Sequence, residues 1–308
     1  MLSQSEKSKL TGQDVSLYVS CFNSEKYIGR CLESILRQSD PPSEIILIDD
    51  ASAVPLETLP EMVRLRESTK IKIIFYRFEK NTGLAVGRNK ALELCTKPLL
   101  ASVDSDVVAE SGWLEKMVEA FKENNVAGVG GRLDEACRET LGDRWRAVHM
   151  AQHWGDNRIV NPRFLFGANT VFDAEILRKV GGYARELRSN YEDVTISDKI
   201  REMGFDLIYT PEAKALHLRE DSEYSIIPGF WKWHHAKGLL RGDFNSPEGV
   251  ISRIDSVNFG IYKYRFDMDL KAGRNELLIL DVMIPWIFCA LDLRMARKNA
   301  GIIIPDFP

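Results

Sequence analysis

The sequence predicts an α/β fold, a mainly parallel sheet flanked by helices on both faces, followed by a C-terminal helical extension. Three observations lead there. Short apolar runs through the first hundred residues are each followed by a stretch with apolar residues at helical spacing. The runs are continuous rather than alternating, as strands covered on both faces require. From Tyr224 onward the strand signals stop and helical patterns take over.

Residues 15–20 read as the first strand, and 25–38 as a helix with Ile28, Leu32, Ile35 and Leu36 on one side. A second strand at 44–49, a second helix at 56–67 and a third strand at 71–76 continue the alternation. A helix over 84–95 leads to a fourth strand at 99–103, and Trp113, Leu114, Met117, Val118 and Phe121 mark the next helix. After Gly131 the rhythm loosens: 133–160 reads as helix and loop, and 164–172 as strand broken by Gly167. Residues 191–203 should be helix, 206–209 a short strand, and Pro211 the start of a turn. Helices over 230–241 and 274–297 complete the chain. The expected division is a flexible lead-in at 1–14, a catalytic domain at 15–220, and a mainly helical extension at 221–308.

A net charge of −4 and a pI near 5.9 give no basic excess of the kind nucleic-acid binding shows. The five cysteines are scattered without CxxC spacing, so neither a disulfide framework nor a zinc site is expected, and a reducing cytoplasm fits. Residues 1–14 lack the apolar stretch of a secretory signal. The run 277–293 is apolar but contains Asp281, Pro285 and Asp292, so it reads as a buried or surface-lying helix, not a span.

In sheets of this kind ligands bind beyond the carboxyl ends of the strands. Polar clusters stand there: Ser20-Cys21-Phe22-Asn23, Asp49-Asp50-Ala51-Ser52 and Asp104-Ser105-Asp106. Glu192-Asp193 opens a later helix, and His217 follows the last strand signal. Singly, each has an ordinary structural role: a solvated turn, a helix cap, a packed histidine. Their order is the stronger signal. Between them lie Ser34-Ile35-Leu36-Arg37-Gln38, Asn81-x-Gly83 with Arg88-Asn89, Gly167-Ala168-Asn169, Gly181-Gly182-Tyr183, and Pro211-x-Ala213 before His217.

In this order the set resembles the family 2 glycosyltransferases, which have the GT-A fold, over residues 15–217. The resemblance implies an inverting transferase that moves a sugar from a nucleotide-diphosphate-sugar to an acceptor hydroxyl, in polysaccharide or glycoconjugate biosynthesis. It implies Mn²⁺ or Mg²⁺ as cofactor, since a divalent cation neutralises the charge that grows on a diphosphate leaving group. Asp106 is then the direct ligand, Asp104 lies nearer the ribose or a metal-bound water, and His217 adds a nitrogen that Mn²⁺ accepts readily. Asp50 matches the position that reads the base edge, where a carboxylate accepts a uracil N–H. Ser20, Phe22 and Asn23 line the nucleotide site, and Arg88 pairs with a phosphate or with Asp104. Asp193 matches the general base, with Glu192 its neighbour. Two positions depart from the pattern: Cys21 replaces a frequent hydroxyl residue, and Ala51 a familiar glycine.

Asn169 and the aromatic, basic segment around Trp231, Trp233 and His234 are candidates for covering the donor or gripping the acceptor, against a simpler role in core packing. The acceptor is a saccharide, lipid-linked or other hydroxyl compound. Arg274, Arg294, Arg297 and Lys298 flank the last apolar helix and suit an interfacial helix at the inner face of a membrane. The other reading is packing on the catalytic domain or on a second copy. No Gly-x-Gly-x-x-Gly follows the first strand and no P-loop is present, which counts against a Rossmann oxidoreductase. A nucleotidyltransferase, or a catalytically silent nucleotide-sugar-binding or scaffold member, are the alternatives.

Overall fold

The computed structural model describes residues 3–300. The chain folds into two compact units. The first comprises the chain up to Ala136 together with Gln152–Leu218; the second comprises Cys137–Ala151 and the chain from Arg219 onward. The sequence places a boundary near 220 but assigns 137–151 to the first domain, whereas the structure gives that segment to the helical unit.

The first unit is a single sheet. Its strands are β1 (Val15–Cys21), β2 (Glu44–Asp49), β3 (Lys72–Arg77), β4 (Leu99–Asp104), β5 (Val107–Ala109), β6 (Val126–Glu135), β7 (Ile159–Val160), β8 (Asn169–Asp173) and β9 (Asp206–His217). They lie in the order β3-β2-β1-β4-β8-β6-β9-β5, with β7 on β9. The half built by β3, β2, β1 and β4 is parallel throughout. Beyond it β8 runs antiparallel to both β4 and β6, while β6 and β9 are again parallel. β1 and β2 are buried almost end to end, which is why they read as unbroken apolar runs.

Helices cover both faces. On one, α2 (Ile28–Leu36), α3 (Pro60–Ser68) and α5 (Trp113–Phe121) pack Leu32, Met62 and Trp113 against Leu17, Val19 and Leu47. On the other, α4 (Leu84–Leu94), α7 (Ala174–Lys179) and α8 (Glu192–Glu202) pack Leu92, Leu177 and Ile196 against Tyr18, Ile46 and Ile48. The lead-in is better formed than expected. It holds α1 (Gln4–Lys7), whose Lys7 is buried with its ammonium 2.6 Å from the Val126 carbonyl oxygen.

Two expectations fail at the later strands. The 133–160 stretch begins inside β6, and the strand placed at 206–209 continues through Pro211 to His217. Proline is tolerated there because the β6–β9 register shifts between Gly131 and Arg132, leaving residues 211–213 outside the ladder.

The second unit is helical: α6 (Leu141–His149), α9 (Ile226–Arg241), α10 (Pro247–Arg253), α11 (Phe259–Lys271) and α12 (Leu278–Ala300). A π-helical turn, Ile254–Asn258, joins α10 to α11, in a run where the sequence pattern predicts no element. Its core gathers Trp145, Phe230, Trp231, Leu280, Ile284 and Phe288. Among the described residues no helix is long and apolar enough to cross a membrane.

Candidate active site

The carboxyl ends of β1, β2 and β4 meet on one side of the first unit, because those strands pair in parallel with Cys21 opposite Asp49 and Ser20 opposite Asp104. The Asp49-Asp50 pair has divided roles. Asp49 binds the backbone N–H groups of Ser52 (2.8 Å) and Leu56 (3.0 Å) and pairs with Arg77. Asp50 accepts three hydrogen bonds, from the Thr82 N–H (2.7 Å) and hydroxyl (2.8 Å) and the Gly83 N–H (2.8 Å). A carboxylate has about four lone-pair sites, so one direction on Asp50 is left for a ligand. Asn23 receives the Ala53 N–H at 2.8 Å and gives its own N–H to Ser52, so it shapes the loop that presents Asp50. Phe22 is 53% exposed, free to form the wall of a base pocket, and the Ser20 hydroxyl is buried without a hydrogen-bond partner among the described residues. Cys21 is buried, and burial pushes its thiol up to about 12, so it behaves as a small apolar residue.

The turn between β4 and β5 carries Asp104 and Asp106. β5 pairs with the end of β9, with Val107 opposite His217, and this brings the His217 Nε2 to 3.3 Å from Asp106 Oδ2. His217 is buried, and its Nδ1 lies 2.9 Å from Glu135 of β6. Burial opposes the imidazolium, but the hydrogen bonds to Asp106 and Glu135 outweigh it and push the pKa up to about 9. A carboxylate and an imidazole facing each other, with a second carboxylate two residues away, are a donor set that suits Mn²⁺.

Glu192 and Asp193 open α8. Asn190 and Tyr191, just before them, both have positive φ (66° and 71°), a conformation costly for an aromatic residue and one that concentrates near functional positions. The two carboxylates diverge. Glu192 is buried and turns inward, with Oε1 3.5 Å from Arg88, and burial pushes its pKa up to about 7. Asp193 accepts the N–H groups of Val194 (2.8 Å) and Gly167 (3.3 Å), and burial raises its carboxyl despite the opposing field of Arg88. The less enclosed Asp193 is the one a substrate can meet.

Arg88 ties these parts together. It lies in α4 and is 2% exposed, with Nη2 3.8 Å from Asp104 and 3.5 Å from Glu192. Asp104, one of the two partners the sequence allows, is therefore beside the guanidinium. Gly167 is a consequence, since a Cβ there would sit 2.1 Å from Arg88 Nη1.

The acceptor candidates have packing roles of their own. Asn169 is buried, its oxygen taking the Trp113 indole N–H (2.7 Å) and its amide bonding the Arg132 carbonyl (3.0 Å), so both ends are committed to the fold. Trp231, Trp233 and His234 belong to the second unit. Trp231 gives its indole N–H to Asp292 (2.8 Å) and stacks on His235, Trp233 packs on the same core, and His234 sits against Phe230 and Phe288. Burial lowers His234 to about 3. Core packing accounts for all three.

The second unit also gathers His149, Asp269 and Asp281, all buried, with possible ligand atoms within 4.8 Å of one another. Arg265 lies 3.4 Å from His149 Nδ1 and can only donate, so Nε2 carries the hydrogen that reaches Asp269 at 2.8 Å. Both ring nitrogens are thereby engaged, and Arg274 holds the other Asp269 oxygen at 2.8 Å. This is a charge network closed by arginines rather than a waiting metal site.

The sequence profile of "Glycosyl transferase family 2" matches residues 16–181, more than half of the chain. The chain belongs to that family. As a family 2 member it is a glycosyltransferase of the hexosyltransferase type, with the GT-A fold. It is 23% identical to the glucosyl-dolichyl phosphate glucuronosyltransferase of Haloferax volcanii, over 71% of this chain and 74% of that one. It is 29% identical to the pre-mycofactocin glycosyltransferase of Mycobacterium tuberculosis, over 67% of this chain but only 43% of the relative. Among solved structures, a Pyrobaculum calidifontis mannosyltransferase in complex with GDP-Man and Mn²⁺ aligns with a TM-score of 0.57 at 17% identity, covering 94% of this chain and 76% of that one. GalNAc-T7 with UDP, GalNAc and Mn²⁺ aligns at 0.55 and 15% identity, over 72% and 47% of the two chains.

Most of the sequence-derived residues converge: Ser20, Phe22, Asn23, Asp50, Arg88, Asp104, Asp106, Glu192, Asp193 and His217 all lie in the first unit around the ends of its central strands. Glu135 was missed. No local motif marks it, because its role arises from pairing with a strand far away in sequence.

Proposed function

We propose that this family 2 enzyme is an inverting, metal-dependent transferase that uses a UDP-sugar and glycosylates a hydroxyl of a saccharide or lipid-linked acceptor. The observation that carries this reading is Arg88, whose one guanidinium reaches both Asp104 at the metal-and-nucleotide end and Glu192 beside Asp193. The two halves of the reaction therefore lie within the span of a single side chain.

Asp106 and His217 would hold Mn²⁺ or Mg²⁺, with Asp104 beside them. The cation would neutralise charge developing on the diphosphate. Asp50 offers its free lone-pair direction to the N3–H of a pyrimidine, and Phe22 covers the ring. Asp193 takes the proton from the acceptor hydroxyl as its oxygen attacks the anomeric carbon. Enclosure keeps the basicity of that carboxylate above that of a solvated one, which suits a general base. The anchoring N–H groups of Val194 and Gly167 fix its direction. Attack from the side opposite the leaving nucleotide inverts the anomeric centre, and the residues matched to the family include no second carboxylate placed as a nucleophile.

The test is nucleotide release from UDP-, dTDP- and GDP-sugars with Mn²⁺, with the product's anomeric configuration read by NMR. Release from the pyrimidine donors with inversion is expected. A guanine preference would contradict the role of Asp50, and retention would contradict that of Asp193.

A second reading concerns placement. On α12, Ile279 (58% exposed), Val282 (37%) and Trp286 (71%) share one stripe, with exposed Arg297 further along it. Exposed tryptophan and aliphatic side chains with a basic end suit the interface of an anionic membrane. We propose peripheral binding there, at the inner face. Co-sedimentation with anionic vesicles that weakens in Trp286→Ala supports it; no sedimentation, or a dimer disrupted by the same change, contradicts it. The described part of the last helix ends before the side chain of Lys298, so that member of the expected basic edge lies outside it.

A further inference from the structure

We infer that Glu135 is a positioning residue for the metal site, fixing the ring and the tautomer of His217; the inference rests on the proposed metal role of Asp106 and His217. Glu135 is buried, and both of its oxygens face His217 Nδ1, at 2.9 and 3.1 Å. The other ring nitrogen, Nε2, points to Asp106. The two nitrogens of an imidazole diverge, so a carboxylate on Nδ1 stands on the far side of the ring from anything at Nε2. Glu135 is thus placed to act through His217. When Nδ1–H is donated to Glu135, the free lone pair is the one on Nε2, which a cation beside Asp106 requires.

A second, independent observation is the strand register. β6 and β9 run in step from Gly128 opposite Leu207 to Gly131 opposite Thr210 and then slip, so that Arg132 lies opposite Lys214 and Glu135 opposite His217. Without that slip Glu135 would face Lys214. The residues outside the ladder, Pro211, Glu212 and Ala213, are three, an odd number. An odd slip changes which side chains share a face, because strand side chains alternate. It is this slip that sets Glu135 beside His217 on the buried face, in line with Leu133 and Ala215. The Ala136 N–H closes the end of the ladder on the His217 carbonyl at 2.9 Å. The backbone of His217 is therefore anchored beside the residue that holds its ring.

The test is Mn²⁺ binding to the full chain, followed by the loss of the free-ion EPR signal, together with the Mn²⁺ concentration that gives half-maximal donor turnover. Glu135→Leu keeps the bulk and removes the acceptor. It should bind Mn²⁺ roughly 10- to 100-fold more weakly, with turnover recovering at saturating Mn²⁺. Glu135→Gln retains an acceptor oxygen and should stay nearer the wild type than Glu135→Leu does. Recovery at high Mn²⁺ separates loss of positioning from general damage, which would lower turnover at every concentration. Should Glu135→Leu fail to fold by circular dichroism, Glu135→Asp, whose carboxylate is withdrawn by one methylene, carries the same prediction of weakened Mn²⁺ binding. Wild-type affinity in Glu135→Leu, or in Glu135→Asp where that substitute is needed, overturns the inference and leaves the metal reading standing. Absence of Mn²⁺ binding in the wild type, or undiminished binding in Asp106→Asn, overturns the metal reading and the inference with it.

Discussion

Arg88 is a cation enclosed by its own fold, and its Nε and Nη1 find no hydrogen-bond partner among the described residues. Such a group persists because the carboxylates beside it would be worse off alone. Removing one member of a buried charge cluster leaves the rest uncompensated, typically at about 3–5 kcal/mol. Arg88→Met should therefore lower unfolding free energy by about that amount in a urea titration; a change below about 1 kcal/mol would mean that Asp104 and Glu192 do not depend on it. At Ala51 the strain lies in the backbone. Its φ of 62° is left-handed, where a Cβ costs roughly 1–2 kcal/mol. Ala51→Gly should stabilise the chain by about 1 kcal/mol, less the extra freedom glycine gains when unfolded, as a rise in urea midpoint with unchanged slope. At this scale the candidate site was legible in the sequence where chemistry and motif coincide, as at Asp106 and His217, which the fold brings to 3.3 Å. It was not legible at Asn169 or Trp231, whose polar atoms are consumed by partners that only the folded chain supplies.

The elements carry a different kind of information. Strands β1, β2 and β4 and helices α2 and α5 were readable because their apolar patterns are strong and their ends are marked by polar residues. β9 was cut short at Pro211 because proline ordinarily ends a strand, and only the pairing with β6 shows that the slip accommodates it. The run 247–271 was missed because its helices bury little of one face. α12 illustrates how a buried acid is tolerated inside an apolar helix. Asp281 accepts the Trp145 indole N–H at 2.8 Å, leaves its other oxygen buried without a hydrogen-bond partner among the described residues, and has its pKa pushed up to about 7, chiefly by burial. A carboxyl raised on folding favours the folded state most at pH below its unfolded value, near 4, and that advantage is lost as pH rises through 7. Asp281→Asn keeps the acceptor for Trp145 without the charge. It should leave stability at pH 4 nearly unchanged and raise it by roughly 1–3 kcal/mol at pH 8. Equal effects at both pH values would show that Asp281 does not titrate in this range.

Across the whole molecule, composition and the alternation of elements were enough to anticipate a sheet enclosed by helices and the side on which the candidate site residues gather. The division into units was less accessible, because 137–151 leaves the sheet after β6 and joins helices that begin some eighty residues later. Sequence proximity and structural membership part company there. The acceptor is the least readable feature for the same reason: the aromatic residues that suggested a sugar platform are the core of the second unit. What the first unit presents is a candidate site in which the residues proposed to meet nucleotide and metal and the proposed base are joined by buried charges. The measurement that tests this most directly compares Asp193→Asn with the wild type for Mn²⁺-dependent sugar transfer and for UDP binding by calorimetry. Transfer reduced by about 10²–10⁴-fold with UDP affinity unchanged is the predicted result. Transfer at the wild-type rate would contradict it.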